Sequence, residues 1–164
     1  DFPDNFSVGI GQDSHEFSDE KGLVLGGLEF LGENKLKANS DGDVMLHSLC
    51  NAVLQAIGDK SLGAFANEMC LKKGIKDSRK YLMKVLKKME RKKYKLNNIG
   101  FMIEGKRPGI DKISNKLKEN IAELTGLPAA KIGITATTCE KLTSFGKGKG
   151  LQVFSIVSLK KNDS

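Results

Sequence analysis

The chain has 164 residues and a mass of 17.9 kDa, with 39% hydrophobic and 29% charged residues. Length and composition predict one soluble domain over residues 1–164 and exclude a disordered or collagen-like chain. The longest uncharged stretch, residues 44–58, is too short and too polar to cross a bilayer, so no membrane partner is expected. Residues 1–7 and 160–164 are expected to be loosely ordered, as chain ends often are.

The net charge of +7 comes from one segment. Residues 71–95 hold twelve Lys and Arg residues and two acidic ones, Asp77 and Glu90. The segment is either a patch for nucleic acid or another polyanion, or the solvated face of an amphipathic helix. Apolar residues recur at helical spacing at Leu82, Val85, Leu86 and Met89. No aromatic ladder or nucleic-acid motif accompanies the charge, so the amphipathic helix is favoured over a nucleic-acid partner.

Three widely spaced cysteines, Cys50, Cys70 and Cys139, form no CxxC pair. This usage favours a reducing compartment. We predict a cytoplasmic protein, or a protein of the plastid stroma if a transit peptide has been removed.

Strands and helices alternate along the first half of the chain. The sequence predicts strands over 8–13 and 23–30, the second with a glycine bulge, and a polar connection over 31–38. A helix is predicted over 41–57, with Ser40 as its N-cap and Asp43 as the capping-box partner. Residues 58–76 contain no clear element.

The second half continues the alternation. Predicted elements are the basic helix over 77–92, a strand over 98–104, a helix over 111–124, and strands over 131–138 and 151–159. The order predicts an α+β (α/β) fold: a single mixed β-sheet with helices packed on one face, in a ferredoxin-like βαβ arrangement. The last strand carries apolar residues on both faces, which predicts a homo-oligomer that covers the other sheet face.

Both histidines of the chain lie in polar clusters. Asp13 and His15 are two residues apart, so on a strand both side chains project from one face. A polar stripe spaced by four runs along the first helix: Asp43, His47, Asn51 and Gln55. If strand and helix meet, two imidazoles and a carboxylate make the ligand set of a catalytic zinc site. The alternatives are that Asp13 and His15 form a surface pair on the strand, and that His47 is a core histidine of the helix whose hydrogen bonds are satisfied.

Two later segments offer groups for phosphate. Thr137, Thr138 and Glu140 end a strand with hydroxyls and a carboxylate, which suit phosphate oxygens or a magnesium ion. The alternative is that the threonines are present only because threonine favours β-strands. The glycine-rich turn at 146–150, which contains Lys147, is either an anion-binding loop or a flexible connection.

Three sequence blocks carry a resemblance to a known family. They are Gly9–His15 (GIGQDSH), Ser40–His47 (SDGDVMLH) and Ala136–Leu142 (ATTCEKL). The chain resembles the 2-C-methyl-D-erythritol 2,4-cyclodiphosphate synthase family of the non-mevalonate isoprenoid pathway. The resemblance implies a phosphorus–oxygen lyase whose substrate is 4-diphosphocytidyl-2-C-methyl-D-erythritol 2-phosphate. The substrate's 2-phosphate attacks its own β-phosphorus, which yields the 2,4-cyclodiphosphate and releases CMP.

The resemblance also implies roles for single residues. Asp13, His15 and His47 match the ligands of Zn²⁺ or another divalent cation, and Glu140 matches a residue at a second metal, Mg²⁺ or Mn²⁺, on the diphosphate. Thr138 and Asn39 match catalytic positions, although Asn39 replaces a histidine and can donate a hydrogen bond but no charge. The implied substrate contacts are Asp13, His15, Asn39, Ser40, Thr137, Thr138, Cys139, Glu140 and Lys147. The implied cytidine pocket is Gly105, Lys106, Arg107, Pro108 and Gly109.

The family is homotrimeric, with active sites between subunits, so the implied partners are a nucleotide-diphosphate substrate and two further copies of the chain. A second function stays open at this point. Asn39 and Asn51 depart from the family pattern, and a catalytically altered homologue could instead bind RNA or an acidic partner through residues 71–95.

Overall fold

The computed structural model describes residues 5–162, which form a five-stranded sheet and four α-helices. The strands are β1 (Phe6–Leu25), β2 (Leu28–Leu36), β3 (Tyr94–Glu104), β4 (Ile132–Thr137) and β5 (Gly150–Lys161). The helices are α1 (Val44–Ala56), α2 (Gly63–Asn67), α3 (Ser78–Arg91) and α4 (Ile110–Thr125). A π-helical turn, Glu68–Lys72, follows α2, and 3-10 turns lie at Ala129–Lys131 and Cys139–Lys141.

The strand order across the sheet is β2–β1–β5–β3–β4. β3 and β4 are parallel, and the other neighbouring pairs are antiparallel. A parallel pair needs a crossover connection, which α4 provides. The predicted α+β fold with one mixed sheet and a βαβ unit is confirmed.

The glycines of β1 set the distance between the sheet and α1. A Cβ atom at Gly9 would lie 2.0 Å from the Ala52 carbonyl oxygen, and one at Gly11 would lie 2.0 Å from the Ser48 carbonyl oxygen. Because only glycine leaves room for so close an approach, the backbone of α1 packs directly on that of β1. This contact brings the side chains of His47 and Asp13 to the same place.

The first hairpin differs from the prediction. Gly26 and Gly27, both at positive φ, form its turn, with Leu25 paired to Leu28, so the predicted glycine bulge within one strand is wrong. The predicted polar connection over 31–38 is also wrong, because β2 continues to residue 36. Asn34 and Leu36 pair there with Lys21 and Phe17 of β1, and Leu36 is buried.

The N-terminus of α1 also differs. Asp43, rather than Ser40, is the N-cap, and its Oδ1 accepts a hydrogen bond from the Leu46 N–H at 3.0 Å. The same carboxylate accepts from the N–H groups of Gly26 and Gly27, at 3.0 and 2.7 Å. The cap therefore also fixes the β1–β2 turn, which is a contact between residues distant in the sequence.

Residues 58–76 are more regular than predicted, since α2 and the π-helical turn lie there. Leu62, Ala66 and Met69 are the buried residues that hold this segment to the core. Their spacing is helical, but the helix is too short to give a periodic signal over several turns.

The prediction that the chain ends are loosely ordered is wrong for those end residues that the structure describes. Phe6 and Ser7 pair with Lys160 and Leu159 in the antiparallel ladder between β1 and β5, and β5 continues to residue 161. Residues 1–4 and 163–164 lie outside the described residues.

The basic segment is helical, as favoured from its spacing. In α3, Leu82, Val85 and Met89 are buried, and Asp77 caps the N-terminus by accepting a hydrogen bond from the Arg79 N–H. Within residues 5–162, no helix combines the length and the apolar character that a membrane crossing requires.

Candidate active site

β1 and α1 bring three of the predicted metal ligands together. Asp13 Oδ2 lies 3.4 Å from His15 Nε2 and 3.5 Å from His47 Nδ1. The residues are partly buried, and Asp13 Oδ2 is itself a buried oxygen without a hydrogen-bond donor. A buried carboxylate oxygen without a partner is costly, so this position calls for a positive group.

The two distances from Asp13 Oδ2 to the histidine nitrogens fit tetrahedral coordination of a metal ion. Two ligand atoms each bound at about 2.0–2.1 Å from zinc lie about 3.3–3.4 Å apart. The two measured separations from Asp13 Oδ2 are close to that edge length. Among residues 5–162, however, no three His, Cys, Asp or Glu side chains are gathered as an assembled metal centre. The fit therefore rests on the residue types, the pair distances and the unpartnered oxygen.

The surroundings shift the pKa values of the two histidines in opposite directions. Asp13 beside it raises the pKa of His15 above its ordinary value, whereas burial lowers the pKa of His47. A lowered pKa keeps His47 neutral near pH 7, and a metal ligand must be neutral. His47 is thus ready for a cation, whereas His15 must be neutral before it can bind one.

A small pocket of about 190 Å³ opens beside the two histidines. Its lining includes Asn39 and Ser40, the residues implied as contacts of the substrate phosphate, together with Cys70. The Cys70 thiol donates to the Asn39 carbonyl oxygen at 3.2 Å, and Ser40 Oγ accepts from the Gly42 N–H at 3.2 Å. Asn39 and Ser40 therefore lie next to the histidine pair, with the Asn39 side chain exposed.

A second pocket of about 330 Å³ lies at the β4 edge of the sheet, between the β3–α4 loop and the end of β4. Its lining contains four residues implied for the cytidine pocket and two threonines: Gly105, Lys106, Pro108, Gly109, Thr137 and Thr138. Arg107 is not among the lining residues. Its guanidinium donates to the Gly148 carbonyl oxygen at 3.2 Å, so it binds the glycine-rich turn instead.

The turn after β4 has an unusual backbone. Cys139, Glu140 and Lys141 have φ angles of 47°, 53° and 61°, in the left-handed region that non-glycine residues avoid. Each such residue costs on the order of 1 kcal/mol and persists only where the surroundings hold it. The Cys139 N–H donates to Thr137 Oγ1 at 3.0 Å, while the side chains of Glu140 and Lys147 are exposed.

Glu104 is a residue of this region that the sequence analysis missed. It is 4% exposed, and it accepts hydrogen bonds from Thr143 Oγ1 at 3.0 Å and Gln152 Nε2 at 2.8 Å. The Cys139 thiol donates to it as well, and these donors hold the pKa of Glu104 below its usual range. Its carboxylate therefore anchors the turn that contains Glu140 and directly follows Thr138. An acidic residue closing an apolar strand was the available signal.

Replacing Glu104 by glutamine should lower the free energy of unfolding by about 1–3 kcal/mol at pH 7, since one acceptor oxygen becomes an amide that faces a donor. The depressed pKa means that the carboxylate stabilises the fold above its unfolded pKa, about 4.3, and that this contribution is lost as the pH falls below it. The stability gap between wild type and variant should therefore narrow at acid pH. Denaturant unfolding at pH 7 and pH 3.5 measures this, with the exposed Glu119→Gln as control. Equal free energies of unfolding of wild type and Glu104→Gln at pH 7 would contradict the anchoring role.

The two pockets do not meet within one chain. Asp13 pairs with Val153, Val153 with Ile103, and Ile103 with Ala136, so a straight row across four strands joins the two regions. Three interstrand spacings of about 4.8 Å separate Asp13 from Ala136 by about 14 Å. The structure brings together the histidine pair with Asn39 and Ser40, and separately Thr137 and Thr138 with the β3–α4 loop.

Comparison with known proteins gives the family. A model of the YgbB family matches residues 6–160. The chain belongs to the YgbB family. A 2-C-methyl-D-erythritol 2,4-cyclodiphosphate synthase of Chlamydia muridarum is 39% identical over 157 residues, which cover 94% of this chain and 88% of that protein.

Solved structures related to this member of the YgbB family share its fold. The bifunctional IspDF from Campylobacter jejuni aligns with a TM-score of 0.88 at 33% identity, over 95% of this chain and 42% of that longer chain. A 2C-methyl-D-erythritol-2,4-cyclodiphosphate synthase in a CDP-bound form aligns with a TM-score of 0.84 at 27% identity, over 93% of this chain and 99% of that one.

Family and relatives agree on one activity. The function is that of a cyclodiphosphate synthase in isoprenoid biosynthesis, a lyase that acts on phosphorus–oxygen bonds. The resemblance seen in the sequence is confirmed. These matches give no support to the alternative function, binding of RNA or an acidic partner through residues 71–95.

Proposed function

We propose that the chain closes the cyclic diphosphate of 4-diphosphocytidyl-2-C-methyl-D-erythritol 2-phosphate and releases CMP, at a site shared by two subunits. The observation that carries this proposal is the buried, unpartnered oxygen of Asp13 between two histidines, beside Asn39 and Ser40. A cation there would lie next to the groups proposed to bind the attacking phosphate. The CDP bound by a related synthase supports a cytidine nucleotide as the leaving half.

The donor set suggests two different ions. Asp13, His15 and His47 would hold zinc or another divalent cation, because two imidazoles and a carboxylate suit such a site and leave a position open. Glu140 would hold Mg²⁺ or Mn²⁺ at the diphosphate, because a carboxylate oxygen is a hard ligand. When bound, these ions neutralise phosphate charge and polarise the phosphorus–oxygen bonds.

The residues of the chain position the substrate. The Asn39 amide and the Ser40 hydroxyl would bind the 2-phosphate and direct one of its oxygens toward the β-phosphorus. The Thr138 hydroxyl would hold the diphosphate, and Lys147 would offer it a positive charge. The attacking oxygen forms a bond to the β-phosphorus, the bond from that phosphorus to the bridging oxygen breaks, and its electron pair leaves with CMP. An intramolecular attack of this kind needs no nucleophile from the enzyme.

We propose a homotrimer because of the uncovered sheet face. Phe6, Val8, Ile10 and Ile156 on this face are exposed to 58%, 62%, 52% and 50%. Ile10 and Ile156 line an apolar depression of about 410 Å³ together with Met102 and Phe154. Exposed apolar surface of this kind is typical of an interface. Packing of copies through it would also bring the histidine pair of one subunit to the cytidine pocket of the next.

Replacing Ile156 by lysine should separate the subunits, because a charge would then be buried at the interface. Light scattering during size exclusion should give three times 17.9 kDa for wild type, about 54 kDa, and the single-chain mass for the variant. CMP release should fall with it, while the circular dichroism spectrum stays native. Met83→Lys, an equally exposed apolar residue on α3, should leave the trimer intact. A trimeric Ile156→Lys variant with full activity would rule out this interface.

Phosphorus NMR of the purified chain with the diphosphocytidyl substrate, zinc and magnesium tests the reaction itself. The expected result is the appearance of CMP together with a cyclic diphosphate. An unchanged substrate spectrum with a folded, zinc-bound protein would refute the proposed reaction. A cytoplasmic location stays a prediction alongside it.

A further inference from the structure

We infer that Ser78 and Asp41 are positioning residues of the metal site, which act through His47. They form a hydrogen-bonded relay that keeps the imidazole proton on Nε2 and leaves Nδ1 free for a cation. This inference rests on the proposed function, because it concerns the same metal site. It adds two residues that the site needs and that the sequence blocks did not assign.

The relay is a continuous chain of contacts. His47 Nε2 lies 2.8 Å from Ser78 Oγ, and the Ser78 hydroxyl lies within hydrogen-bond distance of Asp41 Oδ1. The Ser78 N–H donates to Asp41 Oδ2 at 2.9 Å, so both carboxylate oxygens are used. Ser78 is 0% exposed at the first position of α3, which keeps water away from the relay.

The direction of each hydrogen bond follows from the chemistry of the groups. An ionised carboxylate only accepts, so the single hydroxyl proton of Ser78 goes to Asp41. Ser78 Oγ then has only lone pairs for His47, and Nε2 must be the donor. A neutral imidazole carries one ring proton, and Nδ1 is therefore left with a lone pair.

That lone pair explains the contact on the other side of the ring. His47 Nδ1 faces Asp13 Oδ2 at 3.5 Å, so two acceptors oppose each other, and Asp13 Oδ2 has no donor. Such a pair is unfavourable unless a cation lies between the two atoms. A partner on the second nitrogen is how proteins orient a histidine ligand and fix its tautomer.

The fold holds the relay in place through Asp41. Its backbone N–H donates to the Lys76 carbonyl oxygen at 2.9 Å, which ties the loop before α1 to the residues before α3. Asn51, which follows His47 by one turn of α1, is not part of this relay. Asn51 Oδ1 accepts from the Leu62 N–H at 2.8 Å, so this residue organises the segment before α2 instead.

Zinc affinity of the full chain, measured by competition with a chromophoric chelator, gives the first test. Ser78→Ala should weaken zinc binding about 10–100-fold, the usual effect of losing such a support. Ser78→Thr keeps the hydroxyl and should bind within about threefold of wild type. Ser48→Ala removes another buried hydroxyl, one bonded to Ser155, and should bind as wild type does. Equal affinity of Ser78→Ala and wild type would overturn the relay.

Nitrogen-15 NMR of the metal-free chain tests the tautomer without zinc or turnover, and it remains decisive if Ser78→Ala fails to fold. With two histidines, labelled chain gives four ring nitrogens to assign. The expected result is a proton on Nε2 of His47 in wild type. In Asp41→Ala the Ser78 hydroxyl loses its acceptor and becomes free to donate to the ring, so the proton should shift to Nδ1. A proton on Nδ1 in wild type would overturn the relay. Wild type without zinc affinity, by contrast, would refute the proposed metal site.

Discussion

Replacing His47 by alanine should abolish zinc binding and lower the rate of CMP release by at least about a thousandfold. Asp13 and His15 would remain as two ligands, which is one short of the set that holds a catalytic zinc. Zinc titration of the metal-free variant and phosphorus NMR of its reaction measure the two effects.

The matched control lies two turns further along the same polar stripe. Gln55 is exposed, and its Oε1 accepts a hydrogen bond from the Ile10 N–H at 2.8 Å, remote from the histidines. Gln55→Ala should keep both zinc binding and CMP release. If His47→Ala still released CMP at the wild-type rate, the Asp–His–His cluster would have no part in the reaction.

The cluster of Asp13, His15 and His47 was open to prediction because the sequence patterns that indicate it are local. A spacing of two on a strand fixes the shared face of Asp13 and His15, whatever the rest of the fold does. The glycines at 9 and 11 in the same block show that another element approaches β1 closely. That α1 is this element, and that its polar stripe meets β1 at His47, is seen only in the fold.

The cap of α1 shows why local rules also fail. The block SDGD offers three residue types that cap helices, and the capping-box pattern selects Ser40. Asp43 is the cap because the N–H groups of Gly26 and Gly27 also need its carboxylate. The deciding partners come from another part of the chain, and a pattern of four residues cannot reveal them.

Glu104 and the relay were missed for the same physical reason. The partners of Glu104 are Thr143 and Gln152, 39 and 48 residues away, and Ser78 is 31 residues from His47. Hydrogen bonds over such separations depend on strand order and helix placement. The 14 Å between the two halves of the site likewise follows from the sheet order and not from spacing along the chain.

In the proposed trimer, mixing two inactive variants should restore activity, because each site would draw its proposed metal half (Asp13, His15 and His47) from one chain and its pocket half from another. His47→Ala damages the metal half, and Glu140→Ala damages the half beside the cytidine pocket. In mixed trimers, an intact site forms where the metal half of a Glu140→Ala chain meets the pocket half of a His47→Ala chain. Random assembly at equal amounts makes about a quarter of all sites intact. The metal half and the pocket half of a site each come, with a probability of about one half, from a chain in which that half is unchanged.

Co-expression with two different affinity tags and tandem purification isolates the mixed trimers, and CMP release then reports the recovery. Pairing His47→Ala with Asp13→Ala is the control, because both changes damage the same half and every site keeps one defect. Because each purified mixed trimer has one intact site among its three, recovery to about a third of wild type in the first pair and none in the second is expected only of sites built between subunits. Mixed trimers of the first pair without recovery would mean that both halves of each site come from one chain, against the 14 Å that separates them in the sheet.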